Sequence, residues 1–223
     1  MTKPANESPD LDNLAAGEAQ RWEGSSYYDQ AEQWTWIFWS DSHPFLPLFR
    51  TLDLTYVVEL ACGHGRHGEK VLHDFHDRLG KLLMADILPS NIEHCKARIG
   101  RVPNASCFVN HGSDFRPVPD SVVSAVFCYD AMVHFNRKVV ESYLFDTRRV
   151  LVPGGRALYH HSNYALDPDV DCGQNPHARA FMSAALFGKY AAAAGLRVVE
   201  QVPMSWGGSV DEIDCLTLLE RDR

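Results

Sequence analysis

The chain has 223 residues, enough for one well-buried domain with little left for a second of ordinary size. Its 21 Lys and Arg against 29 Asp and Glu give a formal net charge of -8, which excludes the basic surface that nucleic-acid affinity draws on. No run of about 18 apolar residues could span a bilayer, and the polar opening MTKPANESPDLDN lacks the apolar core of a signal peptide, so the sequence predicts a cytoplasmic protein with no membrane or nucleic-acid partner.

The expected order along the chain starts with a disordered stretch over 1–12, followed by a single domain over 13–223. From about Asp12 the pattern turns helical, and YYDQAEQWTWIFW concentrates aromatic rings beyond what a solvated helix carries, so 13–55 is expected to be a helical lid. SDSHPFLPLF follows, with prolines that break one helix and open the next. From Tyr56 short apolar runs alternate with helical stretches, the pattern of a parallel sheet with crossover helices. The strands are YVVELA, KLLMADI, ASCFVN, VSAVFCYD, GRALYHHS, LRVVEQVPM and DCLTLLER; the helices lie around GRHGEKVLHDFHD, LPSNIEHCKARIG, KVVESYLFDTRRVL and ARAFMSAALFGKYAAAAG. The last two strands have no helix between them and pair most simply as an antiparallel hairpin. The six cysteines form no C-x-x-C pair and read as reduced thiols, with Cys62 and Cys128 as small buried residues.

VVELACGHGRHG contains G-x-G-x-x-G, and two cofactors compete for it. A dinucleotide fold would set Gly63, Gly65 and Gly68 against a pyrophosphate and use Asp86 on a ribose, which makes an NAD(P)-dependent oxidoreductase one reading. Against it, Glu59 sits in the strand before the loop, where a carboxylate suits an ammonium and a sulfonium better than a phosphate. The late position of the motif, the absence of room for a second domain and the terminal hairpin point the same way.

These residues resemble the class I S-adenosylmethionine (SAM)-dependent methyltransferases from about Tyr56 to Glu220. VVELACGHGRHG looks like their first motif, ADILPSN like the second-strand motif, NHGSDFRPVPDSVVSAVFCYDAMVHF like the third- and fourth-strand block, and RRVLVPGGRALYHHSN like the helix, turn and fifth strand. The resemblance implies a Rossmann-like, doubly wound α/β sheet of seven strands, mostly parallel with an antiparallel last strand, and SAM as cofactor with S-adenosylhomocysteine as product. It assigns cofactor contacts to Glu59, Ala61, Gly63, Gly65, Asp86, Ile87, Phe115 and Tyr129; Tyr28, outside the resemblance, is a candidate cofactor contact from the aromatic lid. The adenine amine falls to Asp114 or, since Ser113 separates it from Gly112, to Ser113. The glycines then bring backbone close to the methionine part of SAM, and no chemistry is assigned to His64, Arg66 or His67.

An oxygen acceptor needs a base, because an alcohol is a poor nucleophile while it keeps its proton. Ligands of open α/β sheets lie beyond the carboxyl ends of the strands, where this sequence places His134, His160, His161 and Asn163. His161 is the first candidate base and His134 the second. Asp130 is either an orienting carboxylate or a helix N-cap. Tyr27, Trp36, His160, Asn163, Asn175 and Arg179 are the candidate substrate contacts. No metal-ligand pattern appears, so no metal is expected. The sequence thus predicts O-methylation of a small polar molecule; a non-catalytic SAM-binding protein of the same fold is the other alternative.

Overall fold

The computed structural model describes residues 11–208 and 210–223. Most of the expected disordered start, 1–10, lies outside these residues. Leu11 and Asp12 already belong to the first helix, α1 (Leu11–Trp22). Gly24, at φ 66°, ends that segment, and three short pieces follow: α2 (Tyr27–Ala31), a 3-10 turn (Glu32–Trp34) and α3 (Thr35–Phe38). Pro44 opens α4 (Phe45–Phe49) with its ring-fixed φ of -64°. The aromatic run is divided by use. Phe38, Trp39, Phe45 and Phe49 are buried. Trp39 meets Phe45 edge-on at 5.1 Å and Phe49 meets Phe127 at 5.2 Å, so α3 and α4 form core against one sheet face.

The sheet comprises β1 (Tyr56–Leu60), β2 (Lys81–Asp86), β3 (Ala105–Val109), β4 (Val123–Cys128), β5 (Leu151–Ser162), β6 (Leu196–Met204) and β7 (Asp214–Arg221), in the order β3-β2-β1-β4-β5-β7-β6. β1 pairs in parallel with β2 and β4, β2 with β3, and β4 with β5; β7 runs antiparallel to both β5 and β6. The sheet is therefore mixed, with the terminal hairpin placing β7 inside and β6 at the edge. Every residue of β4, VSAVFC, is buried, as a central strand covered on both faces requires. The crossover helices are α5 (Arg66–Asp74), α6 (Pro89–Ile99), α7 (Arg137–Val150) and α8 (Ala184–Ala193). The order reverses between β1 and β4, so the carboxyl ends of those two strands flank the switch point at which ligands of such sheets bind.

One helix starts later than the sequence suggests. The expected helical stretch 178–195 becomes helical only at Ala184, where the Ser183 hydroxyl accepts from Leu186 N at 3.1 Å. The residues before it run extended because other groups claim their backbone: Ala180 N donates to Val133 O and Met182 N to Tyr164 O.

Candidate active site

A cleft with about 970 Å³ of empty space, its open mouth included, lies over the carboxyl ends of β1, β2 and β4. Its floor is the glycine turn. Ala61 and Gly63 take positive φ (55° and 53°), and Gly63 N donates to Asp86 Oδ2 at 2.9 Å. Asp86 Oδ1 accepts from Leu88 N and Asn91 Nδ2, so this carboxylate ties the turn to the start of α6. Burial raises the Asp86 pKa despite these bonds. Tyr28 crosses above the turn, 3.1 Å from where a Cβ on Gly63 would stand, and stacks on His64 at 4.7 Å. Gly65, at φ 84°, caps α5 and does not line the cleft.

One wall is built at the end of β4. Asp130 has φ 60°, and its Oδ2 accepts from Tyr27 OH at 2.7 Å and from Arg66 Nη2 at 2.6 Å. Its Oδ1 is buried and has no partner among the described residues. Asp130 is therefore not a helix N-cap, and its carboxylate orients no histidine; His160 Nδ1 instead accepts from the Asp130 backbone N–H at 3.1 Å. His134 stands four residues on, its Nδ1 donating to the Ala178 carbonyl at 2.9 Å and its ring 4.8 Å from that of Trp22. A carbonyl can only accept, so Nδ1 carries the proton and Nε2 the lone pair. Burial lowers the His134 pKa to about 4, which keeps the ring neutral at pH 7.

Of the residues singled out in the sequence, Tyr27, Tyr28, Ala61, Gly63, Asp86, Ile87, Tyr129, Asp130 and His134 line this cleft. The others do not. His161 is fully buried on the opposite sheet face, stacked on Phe187 at 3.8 Å, with Nε2 bonded to Thr217 Oγ1 and Nδ1 to Ser162 O. With both nitrogens engaged it is a core residue and not a base. His160 lies beneath Tyr129, with Nε2 3.1 Å from Asp214 Oδ2. Arg179 is buried in a two-point pair with Asp214, at 2.7 and 2.6 Å. Asn175 donates to Arg179 O, and Asn163 is held by Glu212 O and Ala184 N, so none of these four meets a ligand in the cleft. Trp36 is 70% exposed and points away.

The cofactor assignments need similar correction. Glu59 is buried beneath the turn and outside the cleft, its Oε2 has no partner among the described residues, and burial raises its pKa well above the usual carboxylate value. Asp114 pairs with Arg116 at 2.6 Å, Phe115 is core, and Ser113 is buried off the wall. Asn110 and Gly112 line the cleft in their place. Two further lining residues, Arg66 and His67, carry side-chain roles that the sequence reading had withheld: Arg66 binds Asp130, and His67 Nδ1 accepts from Trp39 Nε1 at 3.0 Å. The usable signal was their position at the start of α5, where side chains face the end of β4.

The family model for a methyltransferase domain matches residues 57–155, which include the glycine turn, Asp86 and the Asp130–His134 wall. That stretch matches a methyltransferase domain, and the seven-stranded sheet around it has the fold of the SAM-dependent methyltransferases. The solved structures of similar fold agree. A geranyl diphosphate C-methyltransferase from Streptomyces coelicolor A3(2), in complex with Mg2+, geranyl diphosphate and S-adenosyl-L-homocysteine, superposes with a TM-score of 0.67 at 13% identity, over 98% of this chain and all of that one (100%). A methyltransferase in complex with the Haloferax volcanii Trm112 methyltransferase activator gives 0.65 at 17% identity, over 96% and 98%. SpnF, a cyclase, gives 0.64 at 12% identity, over 89% and 84%. No curated protein matched the chain in sequence. At these identities the methyltransferase likeness is one of fold, and the cyclase among the neighbours shows that the fold does not fix the reaction.

Proposed function

We propose that the chain transfers the methyl group of SAM to the hydroxyl of a small molecule, with His134 Nε2 taking the hydroxyl proton. The observation that carries this reading is a pair of hydrogen-bond acceptors on one cleft wall: Asp130 Oδ1, which has no donor among the described residues, and His134 Nε2, which keeps its lone pair because Nδ1 donates to Ala178 O. A hydroxyl that donates to either is oriented and made more nucleophilic; a neutral amine or a thiolate would need neither. SAM, when bound, supplies an electrophilic methyl on a sulfonium.

The cleft residues fit that cofactor better than a dinucleotide. Among the described residues Arg66 is the one Lys or Arg lining it and is neutralised by Asp130, while burial lowers the pKa values of His64, His67 and His134. With Asp130 paired to Arg66 and Glu32 to Arg98, the carboxyl groups of Glu18 and Asp86 remain along the cleft, so the field favours a cation over a pyrophosphate. Trp22, Tyr27 and Phe135 give the acceptor an aromatic wall. The expectation of a polar substrate loses the support of Asn163, Asn175 and Arg179, which bind protein groups instead.

Thermal shift with SAM, S-adenosylhomocysteine and NAD in parallel tests the cofactor: a specific ligand raises the melting temperature by mass action, and stabilisation by NAD alone would sink the reading. Methyl-labelled SAM with pools of hydroxylated and amine metabolites then tests the acceptor. His134→Ala is expected to keep the SAM response and lower turnover by roughly 10²–10⁴-fold. Unchanged turnover removes the base role.

A further inference from the structure

Beneath the glycine turn runs a line of sulfur atoms that methyl transfer does not use. Cys107, half-buried on edge strand β3, donates its Sγ–H to Cys95 Sγ at 3.3 Å, and Cys95, buried on α6, lies 3.6 Å from Met84 Sδ. Cys62, in the turn after β1, continues the line and lines the cleft. Cys95 is also the residue on which the turn rests: its Sγ is 2.8 Å from where a Cβ on Gly65 would stand. Among the described residues no group of three or more His, Cys, Asp or Glu could hold a metal ion, so the arrangement is a thiol pair and not a metal cage.

We propose that Cys95 and Cys107 form an oxidation site for peroxide-class two-electron oxidants, closing to an intramolecular disulfide that withdraws the support of the glycine turn. Cys107, the more accessible of the two, loses its proton to solvent and displaces hydroxide from hydrogen peroxide, giving a sulfenic acid. Cys95, deprotonated in turn, attacks the Cys107 sulfur and expels the second hydroxide. Two thiols and one peroxide thus give one disulfide and two waters. Closing 3.3 Å to the roughly 2.05 Å of an S–S bond brings the sulfurs about 1.2 Å closer together, and Cys95 moves off the underside of Gly65. Cys107 lowers the Cys95 pKa, but a contact with Cys62 and burial outweigh it, and the hydrogen bond to Cys95 with burial raises that of Cys107; both thiols lie above their ordinary pKa, so the pair stays reduced under mild conditions and its oxidation accelerates as pH rises.

The full-length protein treated with hydrogen peroxide at pH 7 and pH 9 should lose two mass units, faster at the higher pH, with peptide mapping joining Cys95 to Cys107. SAM affinity by calorimetry should fall about tenfold on oxidation, a loss of 1.4 kcal/mol of binding, and return with dithiothreitol. Cys107→Ser should bind SAM normally when reduced and show neither change. A map joining Cys62 to Cys95, sulfinic acids without a cross-link, or a Cys95–Cys107 bond with unaltered SAM affinity overturns the proposal. The effect on the turn rests on the SAM reading; if the reduced protein binds no SAM, that reading falls, and the cross-link map alone decides the oxidation site.

Discussion

Asp130 gives one carboxylate oxygen to Tyr27 and Arg66 and leaves the other without a donor, in a residue whose positive φ is held by His160 from below. Both members of the Asp130–Arg66 pair are mostly buried, so removing the carboxylate leaves an uncompensated guanidinium. Asp130→Ala is expected to cost about 3–5 kcal/mol in urea denaturation, and Tyr27→Phe, which removes one neutral donor, about 1 kcal/mol. Equal losses for the two variants would show that the charge is not what holds the wall. The two candidate bases separate in the same assay. His161→Ala removes a ring packed on Phe187 and strands the Thr217 hydroxyl, so its expected effect is a loss of stability with turnover per folded molecule intact.

At the scale of elements, glycines show where backbones crowd and where they do not. A Cβ on Gly155 would lie 2.9 Å from Val152 O and 3.1 Å from Ser124 O, backbone atoms that cannot turn aside, so Gly155→Ala should cost about 1–3 kcal/mol by disturbing β5 where its pairing with β4 shifts register. Gly17 meets nothing within 4 Å and lies within α1, so Gly17→Ala should add about 0.5–1 kcal/mol and slow hydrogen exchange over that helix; faster exchange there would contradict the assignment. The strands were legible because each is a short apolar run closed by turn residues, and the terminal hairpin because no helix fits between its arms. The start of α8 was not, since Arg179 stays extended to reach Asp214, 35 residues later, a partner that local pattern cannot reveal. The same limit governs the site. Ala61, Gly63 and Asp86 follow from contiguous motifs at strand ends and line the cleft. Adjacency on β5 implies that His160 and His161 face opposite sides, but it does not show that α8 covers one side and Tyr129 with Trp206 the other, so that neither histidine reaches the cleft.

For the molecule as a whole, buried titratable groups set opposing limits on stability. His67, His134 and His161 are buried and neutral, with pKa values lowered by burial, to about 4 for His134 and about 3 for His161. Unfolded, each would take a proton near its model value of 6.5, so the unfolded chain binds more protons below that pH. Their contribution is complete above 6.5 and is lost as pH falls toward 4, by about 1.4 kcal/mol per pH unit for each ring, or about 4 for the three. Glu59 acts in the other direction: its folded pKa is raised well above 4.5, so the native state binds the extra proton and stability falls as pH rises from 4.5, by about 1.4 kcal/mol per unit until the folded pKa is passed. Three rings outweigh one acid below pH 6.5 and cease to act above it, which sets the maximum near 6.5. Glu59→Gln removes the titration while keeping the shape, so chemical denaturation should show a shallower decline between pH 6.5 and 7.5, below the range in which the buried thiols titrate, and keep its acid limb. An alkaline decline of the same slope in that variant would mean that Glu59 is ionised in the native protein, its charge balanced from beneath the glycine turn.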